Sequence, residues 1–152
     1  LANELVSRKK KLALAESCTG GYIAHLITSI PGSSAFFNGA VVPYHNEFKH
    51  ALLEVDNSIF NTVGAVSEEC VRQMAKGVLK KFSSDYSIAV SGIAGPAGAT
   101  PEKPVGLVWI AWANKTEVKT EQFIFGKDRV RNIQLTANMA LNRLRQLIED
   151  GF

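Results

Sequence analysis

The segment that joins a strand to a helix through paired glycines, residues 15–21, constrains the fold of this chain most. Its residues are Ala-Glu-Ser-Cys-Thr-Gly-Gly. It follows an apolar run, residues 12–14, that predicts a strand, and it precedes residues 22–27, whose pattern predicts an amphipathic helix. A strand that turns tightly into a helix is typical of open α/β sheets, which bind ligands at their strand ends.

The same segment carries groups suited to chemistry. Backbone N–H groups of residues 18–21 are expected to point at one spot, where they suit an anion or the oxyanion of a reacting carbonyl. The Ser17 hydroxyl and the Cys18 thiol lie at the same place. Ser17 or Thr19 is also a typical helix cap, which is the commoner role for such residues. Cys18 is an alternative nucleophile, but no histidine is placed to assist it, and buried free cysteines are common.

Length and composition indicate one globular domain over residues 1–152. The chain is 46% hydrophobic and 20% charged, and its net charge is +3. This mild positive charge suits an anionic small ligand. Nucleic-acid binding is not expected, because the two basic clusters, residues 8–11 and 80–81, fall at predicted helix ends, where they complement the helix dipole.

Cysteines and histidines indicate no further site. The two cysteines make no disulfide framework, and the three histidines are not spaced with them as zinc ligands, so no metal or other cofactor is expected. Without a signal peptide or a membrane-spanning apolar stretch, the cytoplasm is the expected location. Because the first residue is Leu1 and not Met, we expect residues upstream of it, in a trimmed single-domain protein or in a longer protein of which this is the last domain.

Strand and helix patterns alternate along the chain. Strands are predicted over 12–17, 36–44, 86–90, 106–113 and 117–125, and helices over 2–10, 19–29, 46–53, 67–82 and 128–149. Residues 54–66 show little pattern and predict a loop, and Asn-Lys-Thr at 114–116 predicts a hairpin. The pattern predicts a three-layer α/β/α sandwich with a mixed, mostly parallel sheet.

Three predicted strand ends carry small or polar groups, at residues 17–21, 44–49 and 91–98. If these strands run parallel, the three ends form one pocket. Asn46 is a predicted N-cap, which places Lys49 at the third helical position, where the helix dipole lowers its pKa and makes it a candidate base. The alternative, favoured by the pattern alone, is that Lys49 points into water beside Glu47.

The glycine-rich stretch at 91–98 and the start of the last helix suit a phosphate. Gly92, Gly95 and Gly98 with a proline exceed what a turn needs, so close backbone approach to a ligand explains them better. Arg131 is the predicted phosphate clamp, with Lys127 and Arg129 as competitors, and any of the three is otherwise an ordinary surface residue.

Together these segments resemble the CinA C-terminal domain family, whose members also occur alone as nicotinamide-nucleotide amidase (PncC). The matching motifs lie, in the family's order, at residues 15–21, 31–34, 44–49, 64–69, 91–96 and 103–106. By position, the family's serine, tyrosine and lysine fall on Ser17, Tyr44 and Lys49. The implied substrate-binding residues are Cys18, Thr19, Gly20, Gly21, Asn46, Ser91, Gly92, Ala94, Gly95 and Arg131.

The resemblance implies hydrolysis of the carboxamide of nicotinamide mononucleotide to nicotinate mononucleotide and ammonia, in pyridine-nucleotide salvage. In this hypothesis neutral Lys49, directly or through the Tyr44 hydroxyl, takes the proton of Ser17. The alternatives are a non-enzymatic nucleotide-binding or regulatory module, and cysteine chemistry at Cys18. A dimer is expected, because residues 36–42 with Trp109 and Trp112 offer more apolar surface than one small core needs.

Overall fold

Five strands form one mixed sheet. The computed structural model describes all residues, 1–152, and places the strands in the order β2-β1-β3-β4-β5. The strands are β1 (Leu12–Glu16), β2 (Phe37–Val41), β3 (Tyr86–Gly92), β4 (Leu107–Ala113) and β5 (Val118–Ile124). β1 pairs in parallel with both β2 and β3, whereas β3–β4 and β4–β5 are antiparallel. The carboxyl ends of three parallel strands therefore meet at one edge of the sheet.

Helices cover both faces of this sheet. One layer contains α1 (Ala2–Ser7), α2 (Tyr22–Thr28) and α6 (Arg129–Glu149), and the other contains α3 (Asn46–Leu53), α4 (Asn57–Thr62) and α5 (Glu68–Lys81). A single 3₁₀ turn, Ser33–Ala35, precedes β2. The predicted three-layer α/β/α sandwich is confirmed, and its sheet is mixed, as expected.

Alternation along the central strands determines which side chains reach the site. Leu14 and Val90 belong to the core beneath α2 and α6, whereas Ala15 and Ala89 belong to the core beneath α5. Since successive strand residues point to opposite faces, the next residues along β1 and β3 on the α5 side are hydroxyl-bearing serines, at 17 and 91. The two serines therefore emerge on the same face at the same edge.

Three local features differ from the sequence-based expectation. Helix α2 begins at Tyr22 instead of Thr19, because Gly20 and Gly21 adopt positive φ values of 59° and 97° that a helix cannot contain. Asn46 is the first residue of α3 and not its N-cap, which is His45, so Lys49 is the fourth helical residue and not the third. The region predicted as a loop contains α4, whose N-cap Asp56 accepts a hydrogen bond from the Ser58 N–H at 2.8 Å.

Trp112 belongs to the protein's own core. Its side chain is completely buried, and its indole N–H donates to the Ala140 carbonyl at 2.8 Å. The surplus of apolar surface that suggested a dimer therefore does not include Trp112. The dimer itself stays a prediction.

Candidate active site

A cleft of about 260 Å³ lies at the carboxyl edge of the parallel strands. Its walls come from the turn after β1, the start of α3, the end of β3 and the first turn of α6. The lining residues are Ser17, Cys18, Tyr44, Asn46, Lys49, Ala65, Val66, Ser91, Gly92, Ile93, Ala94, Gly95, Ala97, Gly98 and Arg129. The three strand ends predicted to converge do meet here.

A larger groove of about 650 Å³ lies at the opposite edge, between α5 and the β4–β5 hairpin. It is lined mainly by polar and charged surface residues, and the cationic side chains of Arg72, Lys80 and Lys115 are already paired with acidic groups. The smaller cleft is the better candidate, because its hydroxyl, lysine and unpaired backbone groups converge there.

Ser17 presents an unpaired hydroxyl to the cleft. The residue is 8% exposed, and its backbone N–H extends the sheet by donating to the Val90 carbonyl at 3.1 Å. Its Oγ has no hydrogen-bond partner within the protein, whereas the Thr19 hydroxyl donates to Glu16. Ser17 is therefore not the helix cap that sequence alone allowed, and its hydroxyl is available to a ligand.

Helix α2 does not supply the expected anion site. The N–H groups of Ile23 and Ala24 donate to the buried carboxylate of Glu16, and the Gly20 N–H donates to the Ser17 carbonyl. The N–H groups that donate to no protein oxygen belong to Cys18, Thr19 and Gly21. Any oxyanion site in this turn must use those groups.

Lys49 is buried, which decides between the two alternatives for this residue. It is 1% exposed and lies on the inner face of α3, four residues before the buried Leu53. Its Nζ donates to the carbonyls of Pro43 at 2.9 Å and Tyr44 at 3.3 Å, with no carboxylate as partner. Burial therefore lowers the pKa of Lys49, although the neighbouring Cys70 and Cys18 thiols act in the opposite direction.

Tyr44 and Arg129 close one side of the cleft together. Tyr44 is 55% exposed, and its hydroxyl accepts a hydrogen bond from the Arg129 guanidinium at 3.1 Å. The same guanidinium donates to the Gly95 carbonyl at 2.8 Å. Arg131, the expected phosphate clamp, lies outside the cleft: α6 turns it away, and its backbone N–H donates to the N-cap Asp128. Arg129 occupies the place predicted for Arg131.

The glycine-rich loop after β3 is held from two sides. The Ser91 hydroxyl donates to the Ala65 carbonyl at 2.8 Å, which ties the loop to the connection between α4 and α5. The buried Asn132 amide donates to the carbonyls of Ala94 and Gly126, both at 2.9 Å. Asn132 was not a sequence-based candidate. A polar residue on the apolar face of α6 was the available signal.

Burial suppresses thiolate formation at both cysteines. It raises the pKa of Cys18 from 9.0 to about 12, and the nearby Glu16 carboxylate adds to this rise, whereas the residue's own N–H and Lys49 lower the pKa. Burial also raises the pKa of Cys70 from 9.0 to about 11. Because the thiolate is the nucleophilic form, Cys18 chemistry is disfavoured at neutral pH.

Most of the sequence-based candidates lie together. Nine of them line the cleft: Ser17, Cys18, Tyr44, Asn46, Lys49, Ser91, Gly92, Ala94 and Gly95. Thr19, Gly20 and Gly21 shape the turn behind Ser17 without lining the cleft. The structure contains no group of three or more histidine, cysteine or acidic side chains arranged to hold a metal ion. None of its helices combines the length and the apolar character needed to cross a membrane.

Fold and cleft define an α/β sandwich domain with a polar cleft at the ends of its parallel strands. The profile of the CinA C-terminal domain matches residues 1–148, and the chain belongs to that family. A CinA-like protein of Cytophaga hutchinsonii is 46% identical over 146 residues, which are 96% of this chain and 35% of that protein. A CinA-like protein of Endomicrobium trichonymphae is 49% identical over 142 residues, which are 93% and 33%. The chain thus spans about a third of these relatives.

Solved structures agree with this assignment. The competence damage-inducible protein A of Klebsiella pneumoniae superposes with a TM-score of 0.96 at 34% identity, covering 99% of this chain and 94% of that one. The competence/damage inducible protein CihA of Agrobacterium tumefaciens gives a TM-score of 0.94 at 37% identity, with coverages of 96% and 90%.

Proposed function

We propose that this domain hydrolyses the carboxamide of nicotinamide mononucleotide to nicotinate mononucleotide and ammonia, as a cytoplasmic enzyme of pyridine-nucleotide salvage. The observation that carries the proposal is that Ser17 and Lys49 line the same cleft: the first offers an unpaired hydroxyl, and the second is a buried lysine whose pKa is lowered. A nucleophile and a nearby base are the minimum for acyl transfer without a histidine. We infer the substrate from the resemblance of the sequence motifs to those of the amidases in the family.

In the proposed reaction Ser17 Oγ attacks the amide carbon, and neutral Lys49 accepts the hydroxyl proton. The N–H groups of Cys18, Thr19 and Gly21, which donate to no protein oxygen, are the candidates for holding the oxyanion. Lys49 then returns the proton to the departing ammonia. Water hydrolyses the nicotinoyl ester by the reverse sequence, with Lys49 again as base, which regenerates the Ser17 hydroxyl.

Phosphate recognition is assigned to the opposite wall of the cleft. The loop at 94–98 offers backbone N–H groups, and Arg129 supplies a guanidinium that already reaches the Gly95 carbonyl and the Tyr44 hydroxyl. A phosphate held there positions the nicotinamide ring toward Ser17. Binding at the phosphate therefore helps to orient the amide for attack. In the proposed complex Tyr44 lies next to the phosphate and the ring and takes no part in the proton transfer, because its hydroxyl pairs with Arg129 and not with Lys49.

Ammonia release from nicotinamide mononucleotide tests the proposal. Wild type is expected to be active, and Ser17→Ala and Lys49→Met to lose about 100-fold or more of kcat. Ser29→Ala is the matched control: its hydroxyl donates to the His25 carbonyl at 2.7 Å on the surface, and it should match wild type. Full activity in Ser17→Ala would disprove the nucleophile assignment.

A second function, non-enzymatic nucleotide binding, is favoured by one observation. No hydrogen bond joins Ser17 to Lys49 or to Tyr44, since the lysine donates to two backbone carbonyls and the tyrosine pairs with Arg129. Catalytic hydrogen bonds often tighten only when substrate is bound, so this arrangement is also compatible with catalysis. Calorimetric binding of the nucleotide by wild type without ammonia release would support the regulatory module.

A further inference from the structure

Glu16 carries a buried carboxylate that the proposed reaction does not use. It is the last residue of β1, directly before Ser17, and its exposed fraction is 0%. None of the ion pairs in the structure includes it. A buried carboxylate without a cation is costly unless hydrogen bonds replace its hydration. The structure must therefore supply such bonds, and their donors reveal what Glu16 holds in place.

Three hydrogen bonds satisfy the carboxylate. Oε2 accepts from the Thr19 hydroxyl at 2.6 Å and from the Ile23 N–H at 3.0 Å, and Oε1 accepts from the Ala24 N–H at 2.8 Å. Hydrogen bonds to an ionised acceptor are shorter and stronger than neutral ones. One side chain thus joins the end of β1, the middle of the turn and the first turn of α2.

These bonds determine which backbone groups stay unpaired. With Ile23 and Ala24 engaged, the N-terminus of α2 has no spare donor there for a ligand, and the unpaired N–H groups are those of Cys18, Thr19 and Gly21. The turn that presents them includes consecutive positive φ values at residues 20 and 21. Because glycine can adopt many backbone conformations, this turn needs hydrogen bonds from outside it to hold one of them. The Glu16 carboxylate supplies these hydrogen bonds, which we call the Glu16 tie.

We propose that Glu16 is a positioning residue for the nucleophile: through Thr19 and the first turn of α2, it holds residues 17–21 so that the Ser17 hydroxyl faces the cleft. This inference rests on the proposed amidase function. The proposed phosphate wall consists of the loop at 94–98 and Arg129, and neither shares a hydrogen bond with Glu16. Loss of the tie should therefore lower kcat and leave KM nearly unchanged.

The test compares variants at Glu16 and Thr19 with a control variant at another buried threonine, Thr136. Thr19→Val is expected to lower kcat about 10-fold and Glu16→Gln about 100-fold, with KM within about threefold of wild type. Thr19→Ser keeps the donor hydroxyl and should restore kcat to within about twofold. Thr136→Val is the control, because Thr136 is 1% exposed, compared with 3% for Thr19, but its hydroxyl donates to the Asn132 carbonyl at 2.7 Å, away from the turn.

Stability alone cannot produce this pattern. If Thr136→Val lowers kcat as much as Thr19→Val, or if Thr19→Ser fails to restore kcat, the positioning role is refuted. Wild-type kcat in Glu16→Gln also refutes it. Thermal unfolding of each variant shows that the measured protein is folded.

A second readout separates this inference from the amidase function. Phenylmethylsulfonyl fluoride modifies activated serines: Ser17 Oγ bonds to sulfur, fluoride leaves and Lys49 takes the hydroxyl proton. If wild type releases no ammonia, the amidase proposal fails, but intact-mass measurement of labelling still reports on Ser17. Labelling of wild type that is about 10-fold or more slower in Glu16→Gln supports positioning. Equal rates, or no labelling of wild type, overturn it.

Discussion

Lys49 is a buried lysine without an acidic partner, an unusual environment for this residue type. Because neutral lysine is the proposed base and burial lowers its pKa, kcat/KM should rise with pH through a midpoint below the usual lysine value. The sign follows from the active form being the deprotonated one, which accumulates as pH increases. Lys49→Arg cannot deprotonate and should lose about 100-fold or more at every pH.

The pH–rate profile of kcat/KM checks this expectation. Lys76→Met, a change on the outer side of α5 at the opposite groove, is the control and should keep the wild-type profile. An active Lys49→Arg with an unchanged profile would remove Lys49 from the proton transfer.

Arg129 and Arg131 offer a matched pair two residues apart. Arg129 reaches the cleft and Arg131 does not, so only Arg129→Ala should weaken phosphate binding. Loss of a hydrogen bond to a charged group costs about 1.5–3 kcal/mol, which corresponds to a rise in KM of roughly 10- to 150-fold. Arg131→Ala should leave KM unchanged. With nicotinamide riboside, which lacks the phosphate, the two variants should behave alike, and a selective loss in Arg129→Ala there would contradict the assignment.

At the scale of elements, the approach of α5 to α3 fixes the position of Lys49. A Cβ on Gly77 would lie 2.1 Å from the Leu53 carbonyl oxygen, which is backbone and cannot move aside alone. Gly77→Ala should therefore destabilise the protein by about 1–3 kcal/mol despite the better helix propensity of alanine. Gly126→Ala, where an added Cβ meets nothing within 4 Å, is the control. Urea unfolding gives the free energy of unfolding of both variants. Equal values would show that α3 can move away from α5 at little cost, which would contradict the prediction.

Helices and strands could be predicted from the sequence where apolar residues recur at a regular spacing or form a continuous run. The strands and α5 follow from continuous or periodic apolar runs, whereas α4 was missed because Ile59 is its only buried residue. The strand-end cleft followed from parallel strands, but the choice of Arg129 over Arg131 depends on the direction in which α6 leaves the sheet. Glu16 was missed because its role arises from contacts with the next helix, which no local pattern encodes.

The whole molecule has two cores, one on each face of the sheet, and each contains one buried thiol. Cys18 belongs to the core beneath α2 and α6, and Cys70 to the core beneath α5. Burial raises the pKa of Cys18 to about 12 and that of Cys70 to about 11 in the folded protein, whereas both thiols lose their protons near pH 9.0 in the unfolded chain. The unfolded state then binds fewer protons, so stability falls as pH rises from about 9 to 11.

This difference tests whether the two cores unfold as one unit. At pH 10 each thiol should contribute a loss of about 1.4 kcal/mol relative to pH 8. In urea unfolding at the two pH values, Cys18→Ala and Cys70→Ala should each remove about half of the thiol-dependent loss from a single transition, and the double variant should remove all of it.

Lys49, with its lowered pKa, contributes to the pH dependence of stability with the opposite sign, and comparing each variant with wild type largely cancels that contribution. Ser87→Ala, which shortens a buried side chain in the α5 core without removing a titrating group, should retain the full loss. Two separate transitions, each sensitive to one cysteine, would contradict a single cooperative unit.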